Sequence, residues 1–219
     1  LSGSAITPGL GRLIGENNTS KAKIIVMTAR EIMLCVSLFF GGIIVILNQH
    51  FITLWVGAEF YLGETTNSLI VLIMGQLVIS RFEGQVQDLS LNIKKKVLSG
   101  PVFAMISISL GLIIYYYFSE SLEGVLSGIL IGRLLLNISF TKMVNKMLNL
   151  RTNIYKTASV FTVILILFFA SKLIAEINSW FSFIFVSIGI VSMLAVICFK
   201  GVLSKPSQNK VLKLILNRS

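Results

Sequence analysis

Residues Val97 to Phe118 read VLSGPVFAMISISLGLIIYYYF, 22 consecutive positions without a charged side chain. A helix needs about 20 mostly apolar residues to cross the ~30 Å hydrocarbon core of a bilayer. A strand-built span would instead show stretches of ~10 residues with alternating polarity. This stretch is apolar on every side, so it predicts a membrane-crossing helix, and the chain around it repeats the pattern. Ile32 to Leu47 (IMLCVSLFFGGIIVIL) is nearly unbroken, and Trp180 to Phe199 is uncharged throughout. Three weaker stretches complete a set of six: 62–79, which contains Glu64, Asn67 and Gln76; 122–140, which contains Arg133; and 157–177, interrupted by Lys172. Aromatic residues at Trp55, Tyr61, Tyr115 to Tyr117, Tyr155 and Trp180 sit near the ends of these stretches, where rings with a polar edge suit the headgroup region.

Composition agrees. The chain is 55% hydrophobic and 13% charged, with a mean hydropathy of +0.87, whereas soluble domains carry roughly 25% charged residues. The expected class is an all-α integral membrane protein with about six transmembrane helices at 32–47, 62–79, 97–118, 122–140, 157–177 and 180–199. Residues 1–31 read as the cytoplasmic end of a preceding helix plus a basic loop, and 201–219 as a basic tail. The chain is therefore expected to be a portion of a longer protein.

The formal charge of +10 does not point to nucleic acid, because the basic residues lie in short segments between apolar stretches, with no folded domain to display them. Of 19 basic residues, 17 fall before the first span, after the second, after the fourth or after the sixth. The opposite connections hold Glu59, Glu64, Glu120, Glu123 and Glu176, with Lys172. Positive charge marks the cytoplasmic side, so both ends are expected in the cytoplasm, with an even number of spans. The external connections are too short for a receptor domain or a surface enzyme.

Arg133 carries the sharpest signal. At ~1.5 Å per residue it lies about 15 Å beyond Glu123, where a charge facing lipid costs ~3 kcal/mol or more. It is expected to face a polar cavity or a partner. Asn137, four residues on, shares its side of the helix. Arg133 either holds an anionic headgroup, since guanidinium matches phosphate oxygens in a bidentate fork, or reaches toward the interface or a carboxylate elsewhere. Gln76, Ser80, Glu83 and Gln87 follow helical spacing and form a polar stripe, with Arg81, Gln85 and Asp88 beside it. The stripe faces a cavity or water, or belongs to an ordinary helical loop. Lys172 and Glu176 read as an exposed pair four residues apart, and Glu59 and Glu64 as external-loop residues. Gly128 and Gly132 have the spacing of a close helix contact. Cys35 and Cys198 lack metal or redox spacing and read as inert thiols; His50 is the single histidine. No catalytic set, metal motif or nucleotide loop is present, so neither an enzyme nor a cofactor is expected.

The segment beginning Pro8-Gly-Leu-Gly-Arg-Leu-Ile-Gly15, followed after one span by Phe51-Ile-Thr-Leu-Trp55-Val-Gly57-Ala-Glu59-Phe60, resembles the polysaccharide exporters of the MOP (MATE-like) superfamily. In that family a proline and small residues end a helix before a basic loop. The resemblance covers these two segments; the rest matches in hydropathy and loop charge. It implies the C-terminal portion of a two-lobed Wzx-type O-antigen flippase in a bacterial inner membrane. Such a protein carries undecaprenyl-diphosphate-linked oligosaccharide units by alternating access, through a cationic cavity between lobes. Arg133 and Arg81, with Asn137 and Gln76, would then contact the diphosphate. The implied partners are membrane lipid, the lipid-linked oligosaccharide, an N-terminal lobe of the same protein and a polysaccharide polymerase. A drug or metabolite exporter of the same superfamily is the alternative, and a non-transport membrane protein of polysaccharide assembly is a second.

Overall fold

The computed structural model describes residues 6–89, 94–119, 121–151, 154–174 and 177–209, and these contain helices and no strand. Seven α-helices follow in order: α1 (Thr7–Gly15), α2 (Thr19–Trp55), α3 (Glu64–Asp88), α4 (Lys94–Ile114), α5 (Leu122–Leu148), α6 (Ile154–Ser171) and α7 (Trp180–Ile197). π-helical turns extend α4 over Tyr115–Ser119 and α7 over Cys198–Val202.

Five helices are long and apolar enough to cross a membrane: Thr19–Trp55, Glu64–Asp88, Lys94–Tyr117, Leu122–Leu148 and Trp180–Val202. The expected sixth, 157–177, falls short. α6 ends at Ser171 after 18 residues, about 27 Å at the helical rise, and residues 175 and 176 lie outside the described part. Other boundaries shift as well. The basic segment read as a loop forms the first turns of α2, and α3 runs on to Asp88 as α5 runs on to Leu148. Pro8 sits in the first turn of α1 and starts that helix instead of ending one. Its missing N–H is one that a first turn leaves unpaired anyway.

The chain divides into two compact units, with the divisions falling inside α2 and α3. Unit 1 comprises Leu1–Arg30 and Leu72–Asn153; unit 2 comprises Glu31–Val71 and Ile154–Ser219. In unit 1, α4 and α5 form a close antiparallel hairpin. Gly124, Gly128 and Gly132 are buried along α5. A Cβ on Gly128 would strike the backbone of Gly111 and Leu110, and one on Gly132 would strike Ser107. The Gly128–Gly132 spacing thus does what small residues do between membrane helices, letting two backbones touch.

In unit 2, Gly41 and Gly42 of α2 give way to Val71, Ile164, Leu167 and Leu194. Ile164 and Leu194 are buried there, with Leu38. Cys35 and Cys198, so distant in sequence, meet in this packing: the Cys198 thiol donates to the Cys35 carbonyl at 3.4 Å. Rings at Phe51, Trp55, Trp180 and Phe183 cluster at one end, with centroids 5.5 to 6.1 Å apart.

Candidate functional site

The polar stripe of α3 faces the interior of unit 1. Gln76, Ser80, Glu83 and Gln87 are all buried, and the reason lies on elements far away in sequence. The Arg30 guanidinium grips Glu83 as a two-pronged fork, with Nε donating to Oε1 at 2.6 Å and Nη2 to Oε2 at 2.8 Å. Its remaining Nη1 donates to Asn145 Oδ1 at 2.9 Å. Glu83 is 1% exposed and Arg30 14%. Burying a carboxyl group that deep is costly, and the two-pronged contact to Arg30 offsets the cost. One turn on, the Gln87 amide donates to the Phe140 carbonyl at 3.1 Å. At the end of α3, Lys96 Nζ donates to both oxygens of Asp88, at 2.6 and 2.7 Å, and to the Gly84 carbonyl at 3.0 Å. The acidic residues of this stripe are therefore taken up by Arg30 and Lys96.

Among the four residues expected at the substrate, Gln76 and Asn137 come together and the two arginines do not join them. Asn137 Nδ2 donates to the Gln76 carbonyl at 3.1 Å. The side-chain oxygens of both residues are buried without a hydrogen-bond partner among the described residues. Arg81 is exposed on α3, away from the buried stripe. Arg133 follows a different course from Asn137 although it sits one turn away on α5. It is half-buried and lines a groove of about 230 Å³ between α4 and α5, with Gly100, Ala104 and Ser107 opposite and Gly132 and Leu136 beside it.

That groove is poor in counter-groups. Arg133 makes no ion pair or hydrogen bond among the described residues. The Ser107 hydroxyl donates to the Phe103 carbonyl at 2.8 Å, within its own helix. The surroundings are apolar, with Met105, Ile108, Leu134 and Ile138 exposed on the same two helices. Arginine stays charged in any protein setting. The groove therefore presents a guanidinium, with fork-shaped donors, and no acidic side chain among its described lining residues. Its volume lies below the ~300 Å³ at which pockets for drug-sized ligands begin, and it has room for a group the size of a phosphate.

Unit 2 holds a second carboxylate cluster. Glu31 accepts from Lys156 Nζ at 2.7 Å, from the Ser204 amide and hydroxyl at 3.1 and 2.8 Å, and from the Ser207 hydroxyl at 2.6 Å. Residues 203–209, expected to trail as a basic tail, are thereby folded against α2. At the far end, Lys172 pairs with Glu64 at 3.3 Å. The expected partner, Glu176, lies outside the described residues, and α6 has already ended before Lys172. Glu64 is the first residue of α3 and not part of a loop.

Of the family-like segment, Phe51 and Trp55 pack in the ring cluster, while Gly57 has a structural reason of its own. Its φ is +114°, and the Glu59 carboxylate folds back to within 2.6 Å of where a Cβ would stand. Only glycine is at ease with both. The Tyr61 hydroxyl in the same connection is held above its usual pKa by burial and then by the nearby Glu64 charge.

Sequence reasoning missed the Arg30–Glu83–Asn145 set and the Glu31 cluster. Arg30 and Glu31 were legible as the entry to an apolar span, but nothing local names partners 53 to 176 residues away. No protein-family model matches the chain, and no curated protein or solved structure is significantly similar to it.

Proposed function

We propose that the chain is a membrane-spanning part of a transporter that moves an anionic, lipid-linked saccharide unit from one leaflet to the other. The observation that carries this reading is Arg133, a half-buried cation without a counter-ion among the described residues, in a groove with room for a phosphate. A structural arginine at that depth would be saturated, as Arg30 is. A cation left open on an apolar hairpin has a use for an anion that arrives from outside the chain. A lipid diphosphate fits because the tail stays in hydrocarbon while only the headgroup needs a polar contact.

The resemblance of Phe51 to Phe60 to the MOP-superfamily polysaccharide exporters supports the same reading and directs it to undecaprenyl-diphosphate-linked oligosaccharide in a bacterial cytoplasmic membrane. The distribution of basic residues supports cytoplasmic ends. An exporter of cationic drugs would call for an open carboxylate within a span. Of the acidic side chains within the five long apolar helices, Glu31, Glu64, Glu83 and Asp88 are each held by a basic partner, and Glu123 stands in the first turn of α5.

The test is to delete the intact gene in its bacterium and measure lipid-linked oligosaccharides and surface polysaccharide together. Completed units accumulating on the lipid while surface polymer disappears is the expected result. Normal surface polymer with raised sensitivity to cationic drugs would replace this reading with the drug exporter of the same superfamily.

A further inference from the structure

We infer that the anionic lipid reaches Arg133 sideways from the bilayer, through the groove between α4 and α5, with its tail lying along the exposed apolar face of those helices. This rests on the reading of Arg133 as a headgroup contact. It departs from the central cavity between lobes that the family resemblance implies.

Three observations on unit 1 converge on it. First, the groove opens on a surface of exposed apolar side chains, with Met105 69% and Ile108 62% exposed on α4. A ligand that brings its own hydrocarbon tail is the occupant for which such a surface carries no penalty. Second, the groove lining runs along α4 from Ser107 to Gly100, toward the end of the helix where Lys94 and Lys95 stand exposed. From Gly100 to Lys95 is about 8 Å at the helical rise. On α5, Lys142 and Lys146 are exposed beyond Arg133 at the same end of the hairpin. Basic residues at the end of apolar helices gather anionic headgroups, so the mouth and the depth of the groove attract the same chemistry. Third, the carboxylates nearest this end on α3, Glu83 and Asp88, are held by Arg30 and Lys96.

The groove has room for a phosphate or diphosphate at Arg133. A contact to the phosphate is indifferent to which sugar is attached.

Binding to the purified full chain in detergent tests this, with farnesyl diphosphate, inorganic diphosphate and phosphatidylcholine as probes. Farnesyl diphosphate should bind at least tenfold more tightly than inorganic diphosphate, because only the former has a tail, and phosphatidylcholine should not compete. Arg133→Gln should weaken farnesyl diphosphate about tenfold, the usual scale for a charge-assisted hydrogen bond in a dry site. Gly100→Leu should weaken it similarly by filling the groove, with the thermal midpoint checked alongside; a Cβ at this position meets nothing within 4 Å. Arg12→Gln, an exposed arginine of α1 paired with Glu16, should leave binding unchanged. Wild-type binding by both Arg133→Gln and Gly100→Leu would overturn the inference, as would equal affinity for inorganic and farnesyl diphosphate. The deletion phenotype is a separate readout. Farnesyl diphosphate binding that depends on Arg133, in a protein whose deletion leaves polysaccharide export intact, would refute the transport reading and leave the groove standing.

Discussion

Arg30 and Arg133 are both arginines on long apolar helices, and the protein treats them in opposite ways. Arg30 is closed off: two oxygens of Glu83 and one of Asn145 receive its donors at 2.6 to 2.9 Å, and the set joins α2, α3 and α5. Arg133 lies on the same α5, half-exposed between glycines and aliphatic side chains, and finds no acceptor among the described residues. Depth in an apolar stretch marks an arginine as costly; its partners tell what the cost is for. A saturated guanidinium holds helices together, and an open one is available to a ligand.

The contrast is broken most severely by making Arg30 resemble Arg133. Glu83→Ala strands the Arg30 charge in the interior and should destabilise the protein by about 3–5 kcal/mol, read as a large fall in the thermal midpoint of the purified protein. Replacing the pair together, as Arg30→Met with Glu83→Leu, should recover most of that loss, since a buried ion pair exchanged for packed apolar groups is often near neutral.

Gly128→Leu attacks the other side of α5. Its side chain would enter the backbone of α4, and overpacking of this kind costs ~1–3 kcal/mol. Anionic-lipid binding should be lost along with the hairpin, while the Arg30–Glu83 fork, which joins α2 to α3, is kept. Retained binding with a splayed hairpin, detected by distance measurement between spin labels on α4 and α5, would separate Arg133 from the groove.

Making Arg133 resemble Arg30 sharpens the comparison. Ala104→Asp places a carboxylate in the groove lining and should lower farnesyl diphosphate affinity about tenfold by internal neutralisation. Its thermal midpoint should stay near wild type. The smallest effect belongs to Lys172→Gln. Lys172 and Glu64 are half-exposed, 50% and 33%, and pairs of that kind contribute ~0–1 kcal/mol.

Much of this architecture is legible in the sequence, and the limits of that legibility are physical. Uncharged stretches such as Val97 to Phe118 announce helices because backbone groups in hydrocarbon must pair within their own segment. The Gly128 and Gly132 spacing announces a close approach for an equally local reason. The spacing of Gln76, Ser80, Glu83 and Gln87 correctly placed them on one side of a helix. It did not say whether that side meets water or protein, because the answer comes from Arg30, Asn137 and Phe140 on other helices. Lys172 shows the same limit: its local candidate lay four residues on, and its partner is 108 residues back at Glu64. Hydropathy also overran α6, since Ile174 and Ile177 continue the apolar composition although the helix stops at Ser171. Pro8 was legible as a boundary but not as which end of a helix it bounds.

The most direct test of the account is to complement the deletion strain with Arg133→Gln and measure three things in the same cells: the amount of folded protein, lipid-linked oligosaccharide and surface polysaccharide. The account predicts folded protein at the wild-type level, because Arg133 holds no partner among the described residues, together with oligosaccharide accumulating on its lipid and a severe loss of surface polymer. Full export by the Arg133→Gln protein would contradict it.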